Sequence, residues 1–177
     1  IFTSGGTEAD NTLLVSGLHT YGIRHAISSR LEHHAVLHTL NHLEKQEEIK
    51  LSMVNTDEKG HIDFTHLESI LEKNENSLVS LMHANNEIGN LLDIERVGEL
   101  CDHYKSYFHS DTVQAVGHYA HDLAKIKVHG ITAAAHKFHG PKGVGFMYIR
   151  KDKKIHPFLH GGSQERSMRG GTDNVSG

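Results

Sequence analysis

Leu78-Val79-Ser80-Leu81-Met82 is a near-continuous apolar run, and its reading decides the fold. A strand buried on both faces reads this way, as strands of parallel sheets do. Directly after it comes a polar stretch, His83-Ala84-Asn85-Asn86-Glu87-Ile88-Gly89. Ile94–Tyr104 then sets Ile94, Val97, Leu100, Cys101 and Tyr104 on one helical stripe. Tyr107–Asp111 returns to strand character. The unit is strand, helix, strand, and it continues in both directions.

Toward the amino end, Ile1–Thr3 reads as the end of a strand and Ser4-Gly5-Gly6-Thr7 as a turn. A helix is predicted from about Glu8 to His19, a short strand at Ala26–Ser28 and a helix at Ala35–Lys45. Ile49–Val54 is strand-like, Asp57-Glu58-Lys59-Gly60 a turn, and Phe64–Leu71 helical by the spacing of Phe64, Leu67 and Leu71. Toward the carboxyl end, Gly130–Ala134 and Val144–Ile149 read as strands. This alternation predicts an α/β domain with a mostly parallel sheet. Ligands of such sheets sit beyond the carboxyl ends of the strands, so the residues after each strand carry the information.

Composition narrows the function classes. A chain of 177 residues is long enough for one domain with its own core. Lys and Arg are scattered and the net charge is −4 with His neutral, which argues against a nucleic-acid face. No apolar run of about 18 residues occurs, so no membrane span is expected. The single cysteine, Cys101, excludes an internal disulfide and fits a reducing, cytoplasmic setting. No signal peptide or targeting segment is visible. The chain opens inside a strand and stops just after a dense motif, so it reads as an internal piece of a longer protein.

Four strand ends carry unusual polar groups. Thr3-Ser4-Gly5-Gly6-Thr7-Glu8 is a Gly-rich turn opening a helix, where free N–H groups can hold a phosphate or a Ser/Thr can simply cap. It matches neither a Walker loop nor a dinucleotide fingerprint. Asn85, Asn86 and Glu87 sit at the mouth of a buried strand, where polar groups need partners. An Asx turn at Asn85 is one way to supply them. Asp111 ends a strand at the same edge, where it can cap a helix or pair with a protonated ring nitrogen of a bound heteroaromatic cofactor. Lys137 follows a strand and precedes a Gly-Pro-rich turn. Its neighbours Ala135 and Phe138 suit the desolvation that a carbonyl-attacking amine needs.

Taken in order, these segments resemble the cysteine desulfurase family, the class V aminotransferase-like branch of fold type I pyridoxal-phosphate (PLP) enzymes. The resemblance covers essentially the whole chain. Its motifs stand here as Thr3-Ser4-Gly5-Gly6-Thr7-Glu8-Ala9-Asp10-Asn11, Glu32-His33-His34-Ala35-Val36-Leu37 and Met82-His83-Ala84-Asn85-Asn86-Glu87-Ile88-Gly89. They continue as Asp111-Thr112-Val113-Gln114-Ala115-Val116-Gly117 and His136-Lys137-Phe138-His139-Gly140-Pro141-Lys142-Gly143. The last is Gly161-Gly162-Ser163-Gln164-Glu165-Arg166 with Met168-Arg169-Gly170-Gly171-Thr172.

The resemblance implies a three-layer α/β sandwich with a mixed sheet, residues 1–177 forming part of the large PLP-binding domain. The amino-terminal segment and the carboxyl-terminal small domain would lie outside this chain. It implies pyridoxal 5′-phosphate as cofactor and Lys137 as its Schiff-base lysine. Asp111 would pair with the pyridine nitrogen, and Gln114 and Asn86 would contact the ring substituents. His33 would stack on the ring and shuttle protons, and Gly6, Thr7 and His136 would hold the phosphate. Thr172 resembles the residue that reaches the phosphate of a neighbouring subunit's cofactor, which implies a homodimer. The implied reaction takes sulfur from L-cysteine, leaves alanine, and passes a persulfide to a sulfur-acceptor or scaffold protein, as in iron–sulfur cluster assembly.

Two departures stand out. The family usually has serine three residues before the lysine, where this chain has Ala134; Thr132 or a water would have to make up the lost phosphate contact. Gly170 replaces a usual serine near Thr172. The family's nucleophilic cysteine and carboxylate-gripping arginine lie beyond the region covered, and Cys101, mid-helix on the apolar stripe, reads as buried and inert. Alternatives are another class V enzyme, such as a selenocysteine lyase, a non-catalytic PLP-fold fragment, or a histidine-rich metal protein. The 18 histidines motivate the last. His34 and His38 are four apart on a helix, but without a third ligand a solvated face is the better reading, so no metal site is expected. His118, His121 and His129 have no functional reading.

Overall fold

A computed structural model describes residues 1–176. Its strands are β1 (Phe2–Thr3), β2 (His25–Ser28), β3 (Lys50–Met53), β4 (Leu78–Ser80), β5 (Tyr107–Asp111), β6 (Gly130–Ala134) and β7 (Gly145–Ile149). They form one sheet in the order β1-β7-β6-β5-β4-β2-β3. The run β6-β5-β4-β2-β3 is parallel, while β7 is antiparallel to β6 and β1 antiparallel to β7. The connection at residues 138–144 is too short for a crossover helix, so β7 can only return antiparallel. The sheet is therefore mixed and mostly parallel, as expected.

The strand residues alternate between two cores. Ala26, Leu78 and Tyr107 pack with Leu14, Leu18, Val36, Leu40 and Leu43 on one face. Ile27, Val79 and Phe108 pack with Leu67, Leu71, Val97 and Cys101 on the other. The first face is covered by α1 (Gly6–Asn11), its continuation α2 (Gly17–Tyr21) and α3 (His34–Lys45). The second is covered by α4 (Phe64–Lys73) and α5 (Ile94–His103). The helices on both faces give three layers. A short α6 (Gln164–Ser167) follows later in the chain.

Helix starts follow local chemistry. Asp63 and Asp93 cap α4 and α5 by accepting from the N–H groups of His66 and Arg96, both at 3.0 Å. The helix predicted to run unbroken from Glu8 contains instead a π-helical segment, Thr12–Ser16, between α1 and α2. Thr12 donates its hydroxyl to the Glu8 carbonyl at 2.7 Å, and such back-bonding loosens the ladder.

One close backbone approach joins β1, β6 and β7. A Cβ at Gly145 would lie 2.7 Å from the Ala133 carbonyl oxygen and from the Gly5 Cα and carbonyl carbon. Both obstacles are main chain, so neither can swing away. Gly145→Ala is expected to destabilise the protein by about 1–3 kcal/mol, the usual range for overpacking. Urea denaturation reads this as a lowered midpoint, and an unchanged midpoint would show that the β1–β7 edge can open freely.

Candidate active site

The segments that follow β1, β2, β4, β5 and β6 converge at one edge of the sheet. The cleft there is lined by Gly6, Thr7, Asp10, His33, Met82, Asn86, Asp111, Val113, Gln114, Ala134, His136 and Lys137, and encloses about 550 Å³ counting its open mouth. It brings together every expected site residue except Thr172. That residue lines a separate concave surface with Phe2, Ser4, Gly143, Glu165 and Arg169.

The turn after β1 is shaped for close approach. A Cβ on Gly6 would lie 2.9 Å from Val113 Cγ2 and 3.7 Å from Ala134 Cβ, so a bare backbone is required there. The first N–H groups of α1 lack intrahelical acceptors and open at this point. Glu8 ties the turn down. It accepts from the Ser4 N–H at 2.9 Å and takes a bidentate contact from Arg169 at 2.8 and 3.1 Å. Burial raises the Glu8 carboxyl, but Arg169 and Ser4 outweigh it, and the group is held below the usual carboxylate range.

His33 caps α3, its Nδ1 accepting from the Ala35 N–H at 3.1 Å. That bond leaves Nε2 as the protonated nitrogen of the neutral ring and orients the exposed ring at the cleft. The two asparagines after β4 divide the work. Asn85 is the Asx turn: its Oδ1 accepts from Glu87 and Ile88 N–H groups, and its amide donates to the Leu31 carbonyl. Asn86 is exposed, donates to Glu87 at 2.6 Å and lines the cleft.

Asp111 ends β5 with only 4% exposure. Its Oδ1 accepts from the Val113 N–H at 2.9 Å. Burial and the neighbouring Asp10 charge push its pKa up to about 7, against the pull of the Val113 N–H, His109 and His33. Lys137 ends a short 3-10 turn, Ala135–Lys137. Here one expectation is corrected: Ala135 and Phe138 do not desolvate it, and Lys137 is exposed in this chain. Successive side chains of a 3-10 turn point roughly 120° apart, so sequence neighbours face elsewhere. Ala135 is buried while the lysine faces the cleft. Thr132 does not replace the missing serine either, since its hydroxyl is fully buried and bonded to His109 at 3.1 Å.

Asp10, Met82 and Val113 also line the cleft, and the sequence reading assigned them no role. Asp10 lies four residues after Gly6, on the same helix face, and that spacing was the available signal. It is 1% exposed, and its pKa is pushed up to about 7 by burial. Glu32, also buried, accepts from the Ser29 hydroxyl and Met82 N–H, and burial raises it to about 8. Cys101 is fully buried in the core, where burial pushes its thiol up. The His34 and His38 rings stack at 4.7 Å. Among the described residues, no three His, Cys, Asp or Glu side chains come close enough to hold an ion.

Residues 1–176 match the model of the aminotransferase class-V family, and the chain belongs to that family. Its relatives there include cysteine desulfurases. It is 46% identical over 180 residues to a cysteine desulfurase IscS of Dictyoglomus turgidum, covering 100% of this chain and 45% of that protein. It is 43% identical over 178 residues to the IscS of Methanosarcina thermophila, covering 99% and 44%. Among solved structures, a NifS-like protein superposes with a TM-score of 0.94 at 39% identity, covering 100% of this chain and 49% of that one. A structure described as SspA in complex with cysteine gives 0.90 at 29% identity, covering 98% and 51%. The chain spans about half the length of the curated relatives it matches.

Pyridoxal 5′-phosphate is the cofactor of this family. The residues present fit it: a glycine cradle at a helix start suits a phosphate, a buried carboxyl on the cleft suits a cationic ring N–H, and a lysine stands at the same cleft.

The buried groups make folding pH-dependent. Asp10, Glu32 and Asp111 bind protons more tightly folded than unfolded, so stability falls as pH rises from near 4 through about 7 to 8. His83, His109 and His129 are depressed by burial from 6.5 to about 4, so stability also falls as pH drops below 6.5. His25 and His121 are lowered too and add to the acid side. Without cofactor, stability is expected to peak near pH 6.5 and decline on both sides. A urea midpoint that rises steadily toward about pH 8 would contradict this balance.

Proposed function

We propose that this chain is the cofactor-binding part of the large domain of a cysteine desulfurase. The observation that carries the reading is the convergence of Gly6, Thr7, His33, Asn86, Asp111, Gln114, His136 and Lys137, from separate segments, on one cleft. When bound, pyridoxal phosphate supplies an electron sink that stabilises negative charge next to an amino acid's α-carbon. In this reading the α1 N–H groups, Thr7 and His136 hold the phosphate. Asp111 would accept from the ring N–H, and its anionic form would favour a protonated ring nitrogen. Asn86 and Gln114 orient the ring, and His33 covers its face.

Lys137 would supply the amine that tethers the cofactor and, when free, would carry a proton between the carbons of the substrate L-cysteine. The His33 Nε2 is the second group placed to pass one. A cysteine thiolate supplied from elsewhere in the protein would attack the substrate's sulfur as the C–S bond breaks; the bonding pair stays with the substrate carbon, which takes a proton, and alanine leaves. Cys101 cannot take that role, being in the core on α5. Thr172 completes the phosphate site of a second copy, so the working form is a homodimer. The persulfide then passes to an acceptor or scaffold protein in the cytoplasm, as iron–sulfur assembly requires.

In the full-length protein, Lys137→Ala is expected to abolish the visible absorbance of bound cofactor and the release of alanine and sulfide from L-cysteine. A folded wild-type protein that binds cofactor but releases neither product would sink the desulfurase reading. Ala134→Ser is expected to restore a phosphate hydrogen bond. A bond to a charged group contributes roughly 1.5–3 kcal/mol, so cofactor should bind about tenfold tighter or more. Absorbance titration giving an equal dissociation constant would show that Ala134 is no deficit.

A further inference from the structure

The cleft floor carries two buried carboxyls, and the chemistry proposed above uses one. Asp10 is the other. Its Oδ1 is buried and has no hydrogen-bond partner. Behind it runs a chain of fully buried polar groups. Ser80 Oγ lies 2.9 Å from His109 Nδ1, and His109 Nε2 lies 3.1 Å from Thr132 Oγ1 and 3.4 Å from Asp10 Oδ1. With the proton on Nε2, every group but Asp10 Oδ1 is served. Ser80 donates to Nδ1, Nε2–H donates to Thr132, and the Thr132 hydroxyl turns to the Asp10 carboxyl. His109 cannot serve as a cation here, because burial depresses it to about 4.

Asp10, on α1, is faced by Asp111 and His109 from β5 and by Glu32 from the segment after β2. His33, His136 and Lys137 line the same cleft. Two like charges confined in one dry site cannot both be held cheaply, so one proton is retained between Asp10 and Asp111. The surroundings say which group keeps it. Asp111 accepts the Val113 N–H and has His33 beside it, both of which favour its anion. Asp10 has one hydroxyl partner and an unserved oxygen.

We propose that Asp10 is a positioning residue of the cofactor site: fixed in place by the Ser80–His109–Thr132 chain, Asp10 keeps the shared proton, so that Asp111 alone faces the ring as an anion. The proposal rests on the PLP reading above. Asp10 touches no reacting atom; it acts by leaving Asp111 charged.

The test uses the full-length protein with Asp10→Asn, an amide that mimics the neutral acid. Infrared difference spectra of the cofactor-free protein at about pH 6 should show one protonated-carboxyl band lost in the variant. Pyridoxal phosphate affinity, titrated by absorbance between about pH 5 and about pH 8, should keep its acid limb at the wild-type pH in Asp10→Asn, because a neutral group faces Asp111 in both proteins. Thr132→Val, which withdraws the hydroxyl that favours ionised Asp10, should make the protonated-carboxyl band persist to higher pH, and Thr132→Ser should restore it. A purely structural Asp10 that is ionised at about pH 6 would give no such band. An acid limb lowered in Asp10→Asn, which would show that Asp111 holds the proton, no change in the carboxyl band, or a folded Asp10→Asn protein that binds no cofactor at any pH overturns the proposal. Wild-type protein that binds no cofactor would instead sink the PLP reading, while the infrared arm still decides where the proton sits.

Discussion

A carboxyl at the end of a buried strand is the constraint on which the rest of this structure turns. Asp111 sits almost wholly out of water, flanked by the apolar sheet and by a second carboxyl, Asp10. An isolated buried charge is severely unfavourable unless it is paired, hydrogen-bonded or neutralised. The protein supplies partial relief through the Val113 N–H and the imidazoles nearby. The remaining deficit is what makes the site receptive to a cation: a protonated ring nitrogen would complete the set of partners.

The sheet exists in the form that makes this possible. Parallel strands bring their carboxyl ends to one edge, so loops distant in sequence share a cleft. The antiparallel return of β7 brings Gly145 against Gly5, which holds the Gly6–Thr7 turn beside Ala134. The Glu8–Arg169 contact joins that turn to the carboxyl-terminal stretch of the chain. Packing, backbone approach and one ion pair thus act together on a single turn.

Much of the site was legible because its residue types are costly where they stand. Asp111, Asn86 and Lys137 follow apolar strands, and polar groups there draw attention before any contact is known. Asp10 escaped notice because it lies inside a helix, where a carboxylate on the solvent side is ordinary. Only the packing of α1 on the sheet turns it inward. Lys137 shows the opposite error. Its apolar neighbours suggested burial, but the 3-10 turn sends them away from it. Thr132 looked available for a phosphate and is instead committed to His109.

The sequence by itself determined the alternation of strands and helices, the mostly parallel sheet and the family motifs. These depend on local periodicity and on residues within a few positions of one another. The tertiary structure alone decided the direction of β7, the exposure of Lys137 and the buried Ser80–His109–Thr132–Asp10 chain. Each depends on which surfaces meet. Burial and hydrogen-bond geometry are properties of pairs of segments far apart in the chain, and no pattern within one segment records its partner.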